Sequence, residues 1–135
     1  MVVLDIKGFK ESPKYQKRFS FLNRKYFGNT LGKVIVGTAP LLKITKIPQK
    51  TLKNATKDEA KYIDGGKYAI ACRDFDGTQY IILDESTCVY HKIVSEQSLL
   101  HEMIHVFLKF EGNHGPKFKA QVRRIAALGA LDSLI

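Results

Sequence analysis

The chain has 135 residues, of which 44% are hydrophobic and 26% charged, the composition of one globular domain over 1–135 rather than of a disordered or fibrous protein. It contains no apolar run long enough to span a bilayer, and its N-terminus is charged too early for a signal peptide, so we expect a cytoplasmic protein without a membrane anchor. The two cysteines, Cys72 and Cys88, form no Cys-x-x-Cys pair, which excludes a cysteine zinc ribbon and favours reduced thiols.

The net charge of +9 is unevenly distributed along the chain. Residues 1–54 contain 12 basic and 2 acidic residues (+10), residues 55–111 contain 6 and 10 (−4), and residues 112–135 contain 4 and 1 (+3). So basic an N-terminal segment predicts an anionic partner, with nucleic acid as the first candidate. The alternative is that the lysine-rich faces are simply solvated.

The first predicted helix begins at Ser12 and Pro13, a favoured N-cap residue followed by proline at the first helical position. Gly28 is suited to end this helix in a left-handed C-cap. Apolar residues recur at helical spacing and predict one buried stripe: Tyr15, Phe19, Leu22 and Tyr26. Basic residues fall largely off that stripe and predict a cationic outer face: Lys14, Lys17, Arg18, Arg24 and Lys25.

Short strands and turns follow the first helix. Residues 33–37 predict a strand, and residues 41–47 predict a second one that Pro48 closes. Residues 51–63 are polar and fit either a short helix or a loop, and the glycines at 65–66 mark a turn.

The strongest hairpin signal comes next, where residues 67–73 and 78–83 flank the Asp-Gly pair at 76–77. A two-residue turn at this pair would place Cys72 opposite Ile81. Both faces of the predicted ribbon carry apolar residues, so we expect one face to be covered and the other to be partly covered.

Residues 85–94 have no pattern that we can assign, and Ser95 then predicts the N-cap of a second helix that runs to about Glu111, with Gly112 as its stop. Apolar residues cover almost its whole surface, as is typical of a buried helix: Leu99, Leu100, Met103, Ile104, Val106, Phe107, Leu108 and Phe110. A third helix opens at Pro116, with an expected inner face of Phe118, Val122, Ile125 and Gly129. Its basic residues are expected to point elsewhere: Lys117, Lys119, Arg123 and Arg124.

The second helix contains the sequence His101-Glu102-Met103-Ile104-His105. Residues four apart share a helix face, so His101 and His105 can direct their imidazoles at one tetrahedral zinc ion. Glu102 is rotated by about 100° from His101, beside the open coordination position, where it can act as a general base. Such a string arises by chance in about one chain in a hundred of this length. Its position on an apolar helix strengthens the prediction of a metal site, because two imidazoles and a carboxylate are costly to bury without a metal.

A catalytic zinc site needs three protein ligands and one open position. We favour His114 as the third ligand, because it follows the helix and lies between Gly112 and Gly115, which allow a sharp turn. His91, in the unassigned segment and without neighbouring glycines, is the alternative.

Three patches of the sequence resemble the SprT-like family of zinc proteases, which includes the Spartan type. They are NRKYFGNTL at 23–31, LLHEMIH at 99–105 and HGPKFK at 114–119, the last similar to the family's His-Gly-x-x-Phe signature. Order and spacing agree from about Ser12 to Leu128. The resemblance implies an α+β, zincin-like single domain, in which a small mixed or antiparallel sheet packs on the active-site helix, with flanking N- and C-terminal helices.

The resemblance also implies that Zn2+ is held by His101, His105 and His114, and that Glu102 is the catalytic base of a zinc metalloendopeptidase. The substrates would be proteins or peptides, and relatives of this type act on proteins bound or crosslinked to DNA. The charge distribution independently predicts that DNA would contact the basic N-terminal and C-terminal helices. We expect no membrane partner, and a monomer is the simplest oligomeric state. Many relatives carry a cysteine zinc ribbon and long tails, and this sequence shows neither.

Two alternatives stay open: a nucleic-acid-binding protein with a structural zinc site and no hydrolytic activity, and a peptidase of another zincin family. In the favoured mechanism zinc activates a water molecule and Glu102 transfers its proton, while the substrate lies extended along an edge strand. A hydrogen-bond donor for the oxyanion is also needed, and the sequence leaves six candidates: Tyr62, Tyr68, Tyr80, Tyr90, His91 and Lys117.

Overall fold

A computed structural model describes residues 8–41, 68–73, 77–111 and 114–130 of the chain. These residues form β1 (Lys10–Glu11), α1 (Pro13–Tyr26), β2 (Val34–Ala39), β3 (Ala69–Arg73), β4 (Gln79–Asp84), α2 (Glu85–Tyr90), α3 (Lys92–Phe107) and α4 (Pro116–Ala127). Apart from Leu41, the strand predicted at 41–47 lies outside the described residues, as do the segment 51–63, the turn at 65–66 and Gly112. No helix within the described ranges is long and apolar enough to cross a membrane.

The four strands form one mixed sheet in the order β1-β2-β4-β3, so β1 and β3 are its edges. Strand β2 runs parallel to β4, whereas the pairs β1–β2 and β3–β4 are antiparallel. Alternate residues of each strand face opposite sides. The main core lies between one side of the sheet and α1, α3 and α4, and a smaller cluster that contains Tyr80 and Ile82 covers the other side. The predicted α+β architecture is confirmed, and both faces of the β3–β4 ribbon are buried.

The register of the β3–β4 hairpin differs from the predicted one. Cys72 does not lie opposite Ile81, and the ladder ends at the pair Arg73 and Gln79. Five residues, 74–78, therefore connect the strands instead of two. Because side chains alternate along a strand, this one-residue shift places Cys72 in the smaller cluster, on the opposite face of the sheet from Ile81.

Helix α1 forms as its sequence predicts. The Ser12 hydroxyl caps it by accepting a hydrogen bond from the backbone N–H of Tyr15 at 3.3 Å, and Gly28 follows its C-terminus with a φ of +59°. All four residues of the predicted stripe are buried. The side-chain amide of Gln16 makes two hydrogen bonds, of 2.9 and 2.8 Å, to the backbone of β2, and so joins α1 to the sheet.

The unassigned segment 85–94 contains helix α2 and the start of α3. The Asp84 carboxylate caps α2 by accepting a hydrogen bond from the backbone N–H of Thr87 at 2.9 Å. Helix α3 begins four residues earlier than predicted, with His91 instead of Ser95 as its N-cap. The predicted cap, Ser95, is buried inside the first turns of the helix, so its role in the prediction was wrong.

Helix α3 ends at Phe107, four residues earlier than predicted. A Schellman turn closes it, in which the N–H of Lys109 donates to the carbonyl of Val106 at 3.0 Å and that of Phe110 to the carbonyl of His105 at 2.8 Å. Lys109 and Phe110 have φ values of +54° and +62°, a left-handed conformation that favours glycine. This turn therefore contains two residues with side chains and no glycine, so the sequence carries no glycine signal that α3 ends here.

Helix α4 opens at Pro116 as predicted and buries much of its expected inner face in the main core. The prediction placed the basic residues of this helix off its inner face, and Arg124 nevertheless makes contacts within the protein. Its Nη1 donates to the carbonyl of Tyr26 at 2.6 Å, and its guanidinium lies over the rings of Phe27 and Phe107. Arg124 therefore anchors α4 to the C-terminal end of α1.

Candidate metal centre

Two of the predicted ligands lie one turn apart in α3. His101 and His105 share a helix face because they are four residues apart, and their Nε2 atoms are 3.2 Å from each other. His105 is completely buried, and His101 is half-buried where the helix borders a cleft. The regular helical repeat fixes this pair.

His114 reaches the same point from the segment between α3 and α4. Its Nε2 lies 3.0 Å from that of His101 and 3.1 Å from that of His105. Gly115 has a φ of −75°, which any residue adopts, so the chain needs no glycine there to present the imidazole. The structure thus brings together the three histidines predicted as ligands and positions them to bind a metal ion.

The chemistry of the three donors fits a cation. A ring nitrogen either carries a proton and donates or offers a lone pair and accepts. Among three nitrogens in mutual contact at least two have the same role, so at least one contact is repulsive unless a metal ion receives all three lone pairs. Tetrahedral coordination with zinc–nitrogen bonds of about 2.0–2.1 Å would space the nitrogens by about 3.3 Å. The observed spacings of 3.0–3.2 Å are close to this value.

Phe118 of α4 supports the cluster from its apolar side. Its ring centroid lies 4.8 Å from those of His101 and His105 and 4.9 Å from that of His114. Because the phenyl ring is buried, it restricts the rotation of all three imidazoles. We predicted Phe118 only as a core residue, and its spacing of four residues from His114 is the signal that could have identified it.

Glu102 borders a cleft beside the three histidines. Its side chain is only 4% exposed, and the cleft has a volume of about 380 Å³ between the N-terminal half of α3 and the start of β3. Besides His101 and Glu102, the cleft is lined by Tyr68, Ala69, Val94, Gln97 and Ser98. A carboxylate and a metal-binding imidazole next to accessible space are the arrangement that a general base and an open coordination position require.

His91, the alternative third ligand, lies away from the cluster. It is exposed at the junction of α2 and α3, where its backbone N–H donates to the carbonyl of Thr87 at 2.8 Å. It precedes His101 by ten positions along α3, a rise of about 15 Å along the helix axis. The geometry therefore favours His114 over His91.

A second depression, the cationic groove, lies between α1 and the first turns of α3 and has a volume of about 460 Å³. Its polar and aromatic lining includes Lys14, Lys17, Arg18, Phe21, Lys92 and Glu96. Arg18 and Glu96 form an ion pair across it, which leaves three lysines in excess. At about 100° per residue, Lys92 and Glu96 point nearly opposite to Val94 and His101, so the groove and the cleft are on opposite faces of α3.

Comparison with known proteins identifies a family. Residues 9–133, nearly the whole chain, match the profile of the SprT-like family. A comparison with curated proteins gives no match. The family is generally associated with metallopeptidase-like domains, in agreement with a cluster of three histidines that can bind a metal ion. The chain therefore belongs to the SprT-like family.

Proposed function

We propose that this protein is a zinc-dependent metallopeptidase. The observation that carries the proposal is the convergence of three histidine Nε2 atoms, within 3.2 Å of one another, beside a buried carboxylate and an open cleft. Membership of the SprT-like family supports the same conclusion. Zinc is favoured because three imidazoles with one open position are a common ligand set of catalytic zinc.

In this proposal His101, His105 and His114 hold the zinc ion through their Nε2 atoms. When bound, zinc supplies a Lewis acid that polarises the scissile carbonyl and makes a water molecule more acidic. Glu102 accepts the proton of the attacking water and delivers it to the leaving amine nitrogen. Phe118 keeps the imidazoles in place and excludes water from their buried side.

The edge strand β3 is suited to hold an extended peptide. Its first residue, Ala69, lines the cleft, and one edge of the strand has no neighbour among the described strands. A substrate segment can add to such an edge through main-chain hydrogen bonds. The facing wall of the cleft is formed by Val94, Gln97 and Ser98, so it is suited to uncharged substrate side chains.

We also propose that DNA binds in the cationic groove, which makes DNA-associated proteins the natural substrates. Lys14 and Lys17 can pair with phosphates, and Phe21, which is 39% exposed, holds the cations of Arg18 and Lys25 over its ring at 5.0 and 5.5 Å. The exposed Lys117 and Lys119 of α4 add further positive charge to the surface. Because the groove and the cleft lie on opposite faces of α3, bound DNA would leave the cleft free for a protein substrate.

The cationic groove also supports a second candidate function, a nucleic-acid-binding protein with a structural zinc and no hydrolytic activity. Such a protein would bind DNA with an affinity that falls steeply with salt and would leave peptides intact. A structural zinc site normally has four protein ligands. The described cluster instead has three histidines and borders an open cleft, which favours the peptidase.

The deciding experiment compares zinc content and proteolysis of a DNA-bound protein for the native chain, Glu102→Gln and the exposed control Glu85→Gln. All three should bind zinc, and Glu102→Gln should cleave roughly 10²–10⁴-fold more slowly than the other two, because it lacks the general base. The peptidase proposal fails if the native chain binds no metal or if Glu102→Gln cleaves at the native rate. Cleavage that is indifferent to added DNA would instead indicate a zincin peptidase with other substrates.

A further inference from the structure

Peptide hydrolysis requires more than the residues assigned so far. As water attacks the scissile carbonyl, negative charge develops on its oxygen, and a hydrogen-bond donor aimed at that oxygen lowers the barrier. The inference below rests on the proposed function, because it concerns which side chain of this chain supplies the donor.

The positions of the six candidate oxyanion donors in the structure distinguish between them. Tyr80 is buried in the smaller cluster, with its ring edge-on to that of Phe9 at 5.9 Å. Tyr90, His91 and Lys117 are exposed on helices and are not among the residues that line the cleft. Tyr62 lies outside the described residues. Among the described candidates, Tyr68 is the one that lines the cleft together with His101 and Glu102.

Tyr68 combines a fixed backbone with an accessible ring. Its carbonyl accepts a hydrogen bond from the N–H of Asp84 at 2.8 Å, and the next residue, Ala69, is buried and pairs with Leu83 in the sheet. The Tyr68 side chain is nevertheless 52% exposed, an unusual position for a large aromatic residue next to a paired strand. Its phenol is therefore held at the edge of the cleft but is not packed into the core.

We infer that the Tyr68 hydroxyl donates a hydrogen bond to the oxyanion that forms on the scissile carbonyl. A phenol has one O–H donor at the end of a rigid ring, so it can reach across a cleft without a large loss of side-chain entropy. Tyr68 lies on the β3 side of the cleft and Glu102 on the α3 side. A carbonyl between them has the base that activates the water on one side and the donor to its oxygen on the other. The proton of the phenol stays on Tyr68 throughout, and only the hydrogen bond strengthens as charge develops.

Tyr68→Phe removes the hydroxyl and keeps the ring, and Tyr90→Phe makes the same change on the exposed surface of α2. Tyr68→Phe should lower kcat by roughly 10²-fold, the effect of removing one oxyanion donor, while KM and zinc content stay at native values. Tyr90→Phe should match the native chain in all three. An unchanged kcat in Tyr68→Phe, or a rise in KM alone, would overturn the inference, because the hydroxyl would then make no contact specific to the transition state.

A binding measurement gives a readout independent of turnover. A phosphonamidate peptide places a charged phosphoryl oxygen where the oxyanion forms, and its affinity for the zinc-loaded protein can be measured by titration calorimetry. Tyr68→Phe should weaken this peptide by the same factor as kcat, with no change for the uncharged parent peptide. Equal affinity of native and Tyr68→Phe protein would overturn the inference and leave the peptidase proposal intact. A native chain that neither cleaves peptides nor binds the phosphonamidate would overturn both.

Discussion

The two parts of the candidate metal centre are built in different ways. His101 and His105 come from the regular repeat of α3, which places residues four apart on one face wherever the helix forms. His114 comes from the segment between α3 and α4, and only tertiary packing brings its Nε2 to 3.0 and 3.1 Å from the helical pair. The buried ring of Phe118 contacts all three imidazoles and joins the two parts. The first part therefore depends on local helix geometry and the second on tertiary packing. Substitutions should show how much each contributes to metal binding.

Removing a ligand from either part should have the largest effect. His105→Ala and His114→Ala should each weaken zinc binding by more than the roughly 10–100-fold that loss of an outer-shell partner costs. Both should also lose the rise in Tm that zinc causes, because a ligand bound only by the folded state stabilises it. Calorimetric titration and thermal unfolding with and without zinc measure these changes. The exposed His91→Ala serves as control, and loss of zinc binding there with retention in His114→Ala would contradict the ligand assignment.

Loosening the junction between the two parts should have the next largest effect. Phe118→Leu removes the ring that restricts the imidazoles, and we expect zinc affinity to fall by roughly 10–100-fold, as for other outer-shell changes. Phe27→Leu is the matched control, because its buried ring packs on Phe107 instead. Both variants should lose stability, but only Phe118→Leu should lose zinc affinity. Equal zinc affinities in the two variants would show that the ring is only a core residue.

The tertiary part also depends on how α4 is held. Arg124→Ala removes the 2.6 Å hydrogen bond to the carbonyl of Tyr26 and the contacts with Phe27 and Phe107. We expect a loss of about 2 kcal/mol in the free energy of unfolding, since hydrogen bonds to charged groups contribute about 1.5–3 kcal/mol. Urea unfolding of Arg124→Ala beside the exposed Arg123→Ala, which should change stability by less than about 0.5 kcal/mol, tests this. Equal stabilities would mean that the guanidinium does not anchor the helix.

A substitution in the turn that follows α3 should have a small effect, and it should stabilise the protein instead of destabilising it. Helix α4 ends in the same Schellman pattern as α3, with bonds from Gly129 to Ala126 at 3.0 Å and from Ala130 to Ile125 at 2.9 Å, and glycine occupies its left-handed position at a φ of +86°. Lys109 occupies that position in α3, so Lys109→Gly should stabilise the protein by about 1 kcal/mol. Gly129→Lys should destabilise it by about as much. Chemical denaturation measures both, and destabilisation by Lys109→Gly would contradict the argument.

The smallest effect at neutral pH concerns Tyr15, a buried residue of α1. Burial, together with the neighbouring Cys88 thiol, raises the pKa of Tyr15 to about 12 from its ordinary value of 10.0. The folded state holds the phenolic proton more tightly than the unfolded chain. The stability that this contributes is complete below pH 10 and is lost as pH rises from about 10 to about 12, because the unfolded chain releases its proton first. Tyr15→Phe should lose less stability over this interval than the native chain, whereas the exposed Tyr90→Phe should follow the native chain. Urea unfolding at about pH 9 and about pH 11 distinguishes these outcomes, and parallel losses in all three would refute the proposed shift.

The features that could be predicted from sequence are those with a local physical cause. Ser12, Pro13 and the apolar stripe locate α1, because capping and helical periodicity act over a few residues. The pair His101 and His105 is predictable for the same reason. The position of His114 was anticipated from the need for a third ligand, from its neighbouring glycines and from family resemblance, because no periodic pattern fixes where a segment between two helices lies.

The features that were missed depend on choices that local chemistry leaves open. The Asp-Gly pair at 76–77 permits a two-residue turn, yet the strands are joined by five residues and the register shifts by one. Helix α3 starts at a cap that makes no side-chain hydrogen bond, His91, and turns at Lys109 without a glycine. The spacing of Phe118 from His114 is a local signal, but its contacts with His101 and His105 depend on how α3 and α4 pack. The position of Tyr68 in the cleft depends on elements distant in sequence, so no local pattern could reveal it.

The parallel pairing of β2 with β4 has a consequence for the order of folding. Val34 pairs with Gln79, 45 residues further along the chain, whereas five residues suffice to close the β3–β4 hairpin. Closing the longer loop costs more chain entropy, and this cost precedes the favourable contacts between the strands, so non-local strand pairs assemble slowly. We therefore expect the hairpin to form early and to dock beside β2 late, and this docking step, rather than formation of the helices, to limit the refolding rate.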